Sequence, residues 1–265
     1  MRARLLHVSD LHAGTHEEPE IERGLARLVE RTEPQLVVAS GDLANRGRRE
    51  QLERAAELLR SLGPPVLAVP GNHDLPYTAA RLFRPWAEFE RVWETTEPTV
   101  SLPELHVVGL NSARRLRHQG GALSGTQLER AAARFAEAQA GALRVAVLHH
   151  HLLGAPWRAA RKRPVSHRNR VLQELIAAGA DLILTGHIHQ AAVSERHEFE
   201  VVSEDARTAV IAVAPGLGQP RPQRLGEARG LHLHEADADA IVVRTFGWTP
   251  GEWTLTAERR FLRRN

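Results

Sequence analysis

Apolar runs recur along the chain, and six of them stop abruptly at residues able to bind metals or move protons. Leu5-Leu6-His7-Val8-Ser9, Leu36-Val37-Val38-Ala39-Ser40 and Val66-Leu67-Ala68-Val69-Pro70 lead into Asp10 and His12, Gly41-Asp42, and Gly71-Asn72-His73-Asp74. Leu105 to Leu110, Val145 to Leu148 and Leu182 to Thr185 lead into Asn111, His149-His150-His151 and Gly186-His187-Ile188-His189. Short apolar runs closed by turn residues read as buried strands. Between them, Ile21 to Glu33, Arg48 to Leu62, Ser124 to about Gly141 and Asn169 to Ala178 space their apolar residues for one helical face. Ser124-Gly125-Thr126-Gln127 is a capping-box signature for the third of these.

Strand and helix alternating in this way imply right-handed crossovers and a mixed, largely parallel sheet, so the class is α/β. After His189 the rhythm changes. Val201-Val202, Ala209 to Val213, Gly230 to His234 and Ile241 to Phe246 are short strands separated by turns, which predicts an antiparallel set forming a second sheet packed on the first. No linker divides the chain, so residues 1–265 read as a single domain, with a core over 1–190 and C-terminal strands over 191–265.

With 42% apolar and 25% charged residues and no low-complexity tract, the composition is that of a soluble globular protein. There is no cysteine, so disulfides, thiolate metal sites and a Cys nucleophile are excluded, and any metal must be held by oxygen and nitrogen. The basic start, Met1 to Arg4, precedes too short an apolar run for a signal peptide or membrane span, which predicts a cytoplasmic protein with no membrane insertion. The pI near 10.3 comes with a net charge of only +3, because the basic residues are nearly all Arg. A nucleic-acid partner, contacted through Arg158 to Arg170, is therefore not the favoured reading.

Taken singly, His7, His106, His197 and His232 read as packing or surface residues. The strand-end residues differ because all fall at the same kind of position, and in open α/β sheets ligands collect at the carboxyl ends of strands. Asp10-x-His12 and His187-x-His189 each put two side chains on one side of an extended segment. Asp10, His12, Asp42, Asn72, His149, His187 and His189 offer more donors than one catalytic metal takes, and suit two. A pair of cations about 3.5 to 4 Å apart needs a bridging carboxylate, and Asp42, alone at its strand end, fits. No Walker lysine, Gly-rich nucleotide loop or G-x-S-x-G elbow occurs, so phosphoryl transfer from ATP and serine hydrolysis have no support.

Asp10-x-His12, Gly41-Asp42, Gly71-Asn72-His73-Asp74, His149 and Gly186-His187-x-His189, in this order, resemble the signature of the calcineurin-like metallophosphoesterases. The resemblance implies a four-layer α/β/β/α sandwich and a dinuclear centre of manganese, iron or zinc. It assigns Asp10, His12 and His189 to the first metal, Asp42 to the bridge, and Asn72, His149 and His187 to the second, with a metal-bridging hydroxide as nucleophile. His149 is the chosen ligand of the histidine triplet, with His150 as a substrate-side or supporting alternative. His73 matches the family's proton donor to the leaving group, with Asp74 orienting it and Asn72 contributing to charge stabilisation. The segment Asn111 to Gln127 and the tail from Ala214-Pro215-Gly216 are similar to the bacterial class III cyclic-nucleotide phosphodiesterases. That likeness implies a 3′,5′-cyclic nucleotide substrate, with Arg46, His118 and the Arg221 to Arg229 loop as contacts. The alternatives are a phosphomonoesterase, nucleotide pyrophosphatase or DNA-end nuclease of the same superfamily, or a non-catalytic metal-binding scaffold.

Overall fold

The computed structural model describes residues 2–15, 19–153, 162–198, 207–218 and 229–263. In chain order the elements are β1 (Ala3–Val8), α1 (Pro19–Thr32), β2 (Leu36–Ala39), α2 (Arg49–Ser61), β3 (Val66–Ala68), α3 (Ala80–Phe83), α4 (Ala87–Trp93), β4 (Thr99–Leu102), β5 (Leu105–Gly109) and α5 (Gly125–Ala136). They continue with β6 (Leu143–Val147), α6 (Arg168–Ala177), β7 (Leu182–Thr185), β8 (Ala192–Glu195), β9 (Val210–Val213), β10 (Gly230–Ala236), β11 (Ala240–Thr249) and β12 (Glu252–Leu262).

The strands form two six-stranded sheets, ordered β12-β11-β10-β1-β2-β3 and β4-β5-β6-β7-β9-β8. In the first, β1, β2 and β3 run parallel, with Leu5 opposite Leu36 and Val38 opposite Leu67. In the second, β5, β6, β7 and β9 run parallel, and β4 and β8 close the edges antiparallel. The inward faces of the two sheets meet in one core, where Leu5, Leu36, Val38 and Leu67 pack with Val107, Val145, Leu182 and Leu184. Outside the first sheet, Leu25 and Leu28 of α1, Leu52 and Leu59 of α2 and Phe89 of α4 form a second core. Outside the second sheet, Leu128 and Phe135 of α5 and Leu172 and Leu175 of α6 form a third. The layers are therefore α/β/β/α.

The expected antiparallel C-terminal set is found in part, and its placement in a sheet of its own needs correction. The parallel strands are divided between the sheets, and β9 joins β7 in parallel. Only β10, β11 and β12 form an antiparallel ribbon, which attaches to the edge of β1 with His7 opposite His232. Because β2, β6, β7 and β9 are buried almost throughout, their apolar runs carry no mark of which neighbour they pair with. Val201-Val202 lies outside the described residues. The predicted α5 stops at Ala136 rather than near Gly141, with Ala138 N bonded back to Phe135 O as the turn tightens. Its capping box is formed, with Ser124 Oγ accepting from Gln127 N and Gln127 Oε1 from Ser124 N. Among the described residues no helix is long and apolar enough to cross a membrane.

Candidate metal centre

The turns after β1, β2 and β7 share an uncommon backbone. Asp10, His12, Asp42, His187 and His189 all have positive φ, between 49° and 74°, and they make up five of the eight described non-glycine residues that do. Such residues cost of order 1 kcal/mol each or more and cluster at functional sites. The turns are held by their neighbours: Asp10 N donates to Gly41 O, His12 N to Asp42 O, and Leu217 N and Gly218 N to Ser9 O and Asp10 O. This corrects the reason expected for the D-x-H and H-x-H spacing. The paired side chains converge because left-handed residues alternate with ordinary ones, not because the segment is extended.

All seven expected ligands are buried, none more than 6% exposed. Asp10, His12 and His189 form one cluster whose donor atoms lie within 4.8 Å of one another, and Asp42, His149 and His187 form another. Asp42 touches both. Its Oδ2 lies 3.3 Å from His149 Nε2 and 3.9 Å from His12 Nε2. Asp42 Oδ1 accepts from His73 N at 2.8 Å, so one oxygen is spent on the loop and the other has no hydrogen-bond partner. Asp10 repeats the pattern: Oδ2 accepts from Ser9 Oγ and His187 N, and Oδ1 faces His189 Nε2 at 3.1 Å. Asn72 is 1% exposed with both side-chain polar atoms unpartnered.

The electrostatics follow from this packing. Burial would raise both carboxyls, but His189 beside Asp10 and His149 beside Asp42 outweigh it and hold both well below the usual carboxylate range. Burial likewise opposes charge on His149, yet Asp42 prevails and the imidazole is pushed up to about 9. At His12 burial prevails, pushing it down to about 3.

Divalent cations fit these residues. His12 Nε2 and His189 Nε2 face each other at 3.3 Å, and His187 Nδ1 and His149 Nε2 at 3.2 Å. His149 Nδ1 bonds Ser40 O at 2.8 Å, which fixes its tautomer and turns the Nε2 lone pair inward. Converging lone pairs next to unsatisfied carboxylate oxygens are what a hard or borderline cation neutralises. The histidine triplet is also sorted: His149, not His150, faces Asp42. His150 is fully buried behind it, with Nδ1 on Ser112 Oγ at 2.9 Å, so it stands as a supporting residue rather than on a substrate-facing side.

His73 lies beside this cluster, its ring 4.8 Å from that of His12 and perpendicular to it. Asp74 does not orient it. The two oxygens of Asp74 accept from Ala44 N at 2.7 Å and Gly71 N at 2.8 Å, so the carboxylate ties the loop to the β2 turn. Burial, with the charge of Asp42 added, pushes Asp74 up to about 7 despite those bonds. His73 Nδ1 instead bonds the carbonyl of Asn45 at 2.8 Å and meets the hydroxyl of Tyr77 at 3.2 Å. His118 is exposed, its ring 6.1 Å from His73 and 5.5 Å from Tyr77, and Arg46 is exposed on the other side of Tyr77. Sequence reasoning missed Ser9, Ser40, Asn45, Tyr77 and Ser112. The serines follow apolar runs directly, but Asn45 acts through its carbonyl, which no side-chain pattern reveals. His7 and His232 are buried packing residues as expected, on Ser40 Oγ and on Val213 O and Thr245 Oγ1. Residues 154–161, part of the basic Arg158 to Arg170 stretch, and residues 219–228, most of the Arg221 to Arg229 loop, lie outside the described residues.

Comparison with known proteins agrees with this geometry. The family model of the calcineurin-like phosphoesterases matches residues 3–191. The chain is 26% identical over 219 residues to the 3′,5′-cyclic adenosine monophosphate phosphodiesterase CpdA of Haemophilus influenzae, across 77% of this chain and 76% of that one. A shorter match, 36% over 80 residues, covers 26% of this chain and 29% of the glycerophosphodiester phosphodiesterase GpdQ of Enterobacter lignolyticus. The fold superposes on purple acid phosphatase PPD1 from yellow lupin with a TM-score of 0.71 at 10% identity, over 98% of this chain and 53% of that one. With its strand-end carboxylates and imidazoles gathered into a candidate metal site, the chain belongs to the calcineurin-like phosphoesterase family and is a phosphoester hydrolase.

Proposed function

We propose that the protein is a dinuclear-metal-dependent phosphodiesterase whose favoured substrate is a 3′,5′-cyclic nucleotide. The observation that carries the two-metal reading is Asp42 Oδ2, buried, unsatisfied, and shared between His12 and His149. Asp10, His12, His189 and Asp42 would hold one cation, and Asp42, Asn72, His149 and His187 the other. Such a pair, of manganese, iron or zinc, supplies Lewis acidity at phosphorus and a nucleophile at neutral pH. The chain's own part is to orient and protonate. With Nδ1 committed to the Asn45 carbonyl, His73 presents Nε2 for protonating the leaving alkoxide. Asp74 keeps the loop carrying Asn72 and His73 docked on the β2 turn.

The likeness to CpdA supports the cyclic-nucleotide choice, and the shorter likeness to GpdQ supports a glycerophosphodiester as the second reading. The test is hydrolysis by the manganese-loaded protein of bis-p-nitrophenyl phosphate, p-nitrophenyl phosphate, 3′,5′-cAMP and glycerophosphoethanolamine, with Asp42→Asn as blank. Diester and cAMP turnover that vanishes in the blank is expected. Preference for the monoester would overturn the diesterase reading, and turnover of glycerophosphoethanolamine without cAMP would replace the substrate.

A further inference from the structure

Across Tyr77 from His73 lies a cavity of about 530 Å³ walled by the β2–α2 loop, the residues after Asp74 and the start of α4. Five arginines and only two glutamates line it, an excess of three positive charges. Three of the arginines have acidic partners: Arg48 with Glu50, Arg49 with Glu53 and Arg91 with Glu88. Among the described residues the guanidiniums of Arg46 and Arg84 form no ion pair; the hydrogen bonds of these two residues are made by backbone atoms, Arg46 N to Gln51 Oε1, Arg84 N to Ala80 O, and Ala87 N to Arg84 O. Unpaired guanidiniums on a concave wall match the planar, bidentate recognition of phosphate or carboxylate. The cavity volume falls in the range of small-molecule sites.

Tyr77 connects this cavity to the reacting groups. Its hydroxyl meets His73 Nδ1 at 3.2 Å while its half-exposed ring lines the cavity. Burial and Asp42 push the Tyr77 hydroxyl up, and Arg81 and Arg46 pull it down. Arg81 is itself used up: its guanidinium donates to the carbonyls of Arg115 and Arg117 and so anchors the loop bearing His118.

We propose that Arg46 and Arg84 bind a second anionic group on the leaving-group side of the substrate. The substrate class then includes linear phosphodiesters with a terminal phosphate, such as a 5′-phosphorylated dinucleotide. This rests on the phosphodiesterase reading for its chemistry and on the cavity for its selectivity. In the reaction, water oxygen bonds to phosphorus, the P–O bond to the 3′ oxygen breaks, and that oxygen takes a proton from His73, so pApA yields two molecules of AMP. The 5′-phosphate of the leaving nucleotide is the group that Arg46 and Arg84 would hold. A cyclic nucleotide, with one phosphate, leaves the cavity empty.

The experiment compares kcat/KM for pApA, ApA and bis-p-nitrophenyl phosphate in the manganese-loaded wild type, Arg46→Gln, Arg84→Gln and the double variant. Calorimetric binding of AMP and adenosine to the metal-free full chain accompanies it. One charge-assisted hydrogen bond is worth about 10- to 100-fold. Wild type should therefore prefer pApA to ApA, and AMP to adenosine, by about tenfold or more. Both preferences should collapse in the double variant, while bis-p-nitrophenyl phosphate turnover by Arg84→Gln stays within about twofold, since that substrate carries no second phosphate and Arg84 pairs with no residue of the metal cluster. Equal rates for pApA and ApA in wild type, or a preference that survives both substitutions, would overturn the proposal. Loss of all turnover with the AMP preference intact would sink the phosphodiesterase reading and leave the anion site standing.

Discussion

Replacing Gly71 by alanine perturbs the centre at a single methyl group. A Cβ at this position would meet Asp42 Oδ1 at 2.2 Å, Asp42 N at 2.3 Å and Asp42 Cγ at 2.9 Å. The carboxylate oxygen is held by His73 N and the backbone nitrogen by the β2 turn, so the two loops must part by about 1 Å. That movement strains the two bonds between the loops, His73 N to Asp42 Oδ1 at 2.8 Å and Ala44 N to Asp74 Oδ1 at 2.7 Å. Overpacking together with two weakened hydrogen bonds amounts to roughly 2 to 6 kcal/mol of stability. A displacement of about 1 Å between catalytic groups costs about 100-fold in rate. Gly125→Ala is the control, because a Cβ there meets nothing within 4 Å at the start of α5. It should be neutral or stabilise by up to about 1 kcal/mol. Urea unfolding and bis-p-nitrophenyl phosphate turnover at saturating manganese read both effects. If Gly71→Ala kept wild-type turnover and unfolding midpoint, the close approach of the Asp42 and His73 loops would not be what holds the centre together.

His73→Ala should keep its metal content while turnover on alkyl-leaving diesters falls about 100- to 10,000-fold, with a smaller loss for p-nitrophenyl leaving groups that need no proton; equal losses on both would make His73 structural. Asp74→Ala leaves the amides of Ala44 and Gly71 without their acceptor and should cost about 2 to 5 kcal/mol, read by urea unfolding. Glu97 is held below its usual range because Gln127, Arg130 and the amide of Asn111 outweigh the penalty of burial. With a depressed folded value, its contribution is present above the unfolded pKa near 4.3 and is lost as pH falls through the lower folded value, so the stability gap between wild type and Glu97→Gln should shrink as the pH falls below about 4.3. Ser124→Ala removes half of the capping box and should cost about 1 kcal/mol, checked by thermal unfolding.

Much of the centre was legible because it is written at strand ends. The runs that stop at Asp10, Asp42, His149 and His187 became strands whose polar ends bring carboxylates and imidazoles together, whereas β5 leads to Asn111, which bonds Ala113 and Gln127 instead. The arrangement of strands was less legible, since Val210 to Val213 reads the same whether it pairs parallel with β7 or within an antiparallel ribbon. The strand β12 escaped notice because its residues are mostly exposed and lack a regular apolar alternation, yet Pro250-Gly251 between Thr249 and Glu252 is a hairpin signal that was there to be read. The helix α4 is about two turns long, and Phe89 and Trp93 are its only buried residues, too few for a period. Asp74 stands next to His73 in sequence but serves the backbone of its own loop, and the imidazole finds a carbonyl from another turn instead.

The most direct test of the account is the number of manganese ions bound per chain, measured by mass spectrometry after equilibrium dialysis, for wild type and Asp42→Asn. A carboxylate shared between two clusters predicts two ions in wild type and one or none, with turnover abolished, in the variant. Two ions held by Asp42→Asn with full diester turnover, or a single ion in a fully active wild type, would contradict it.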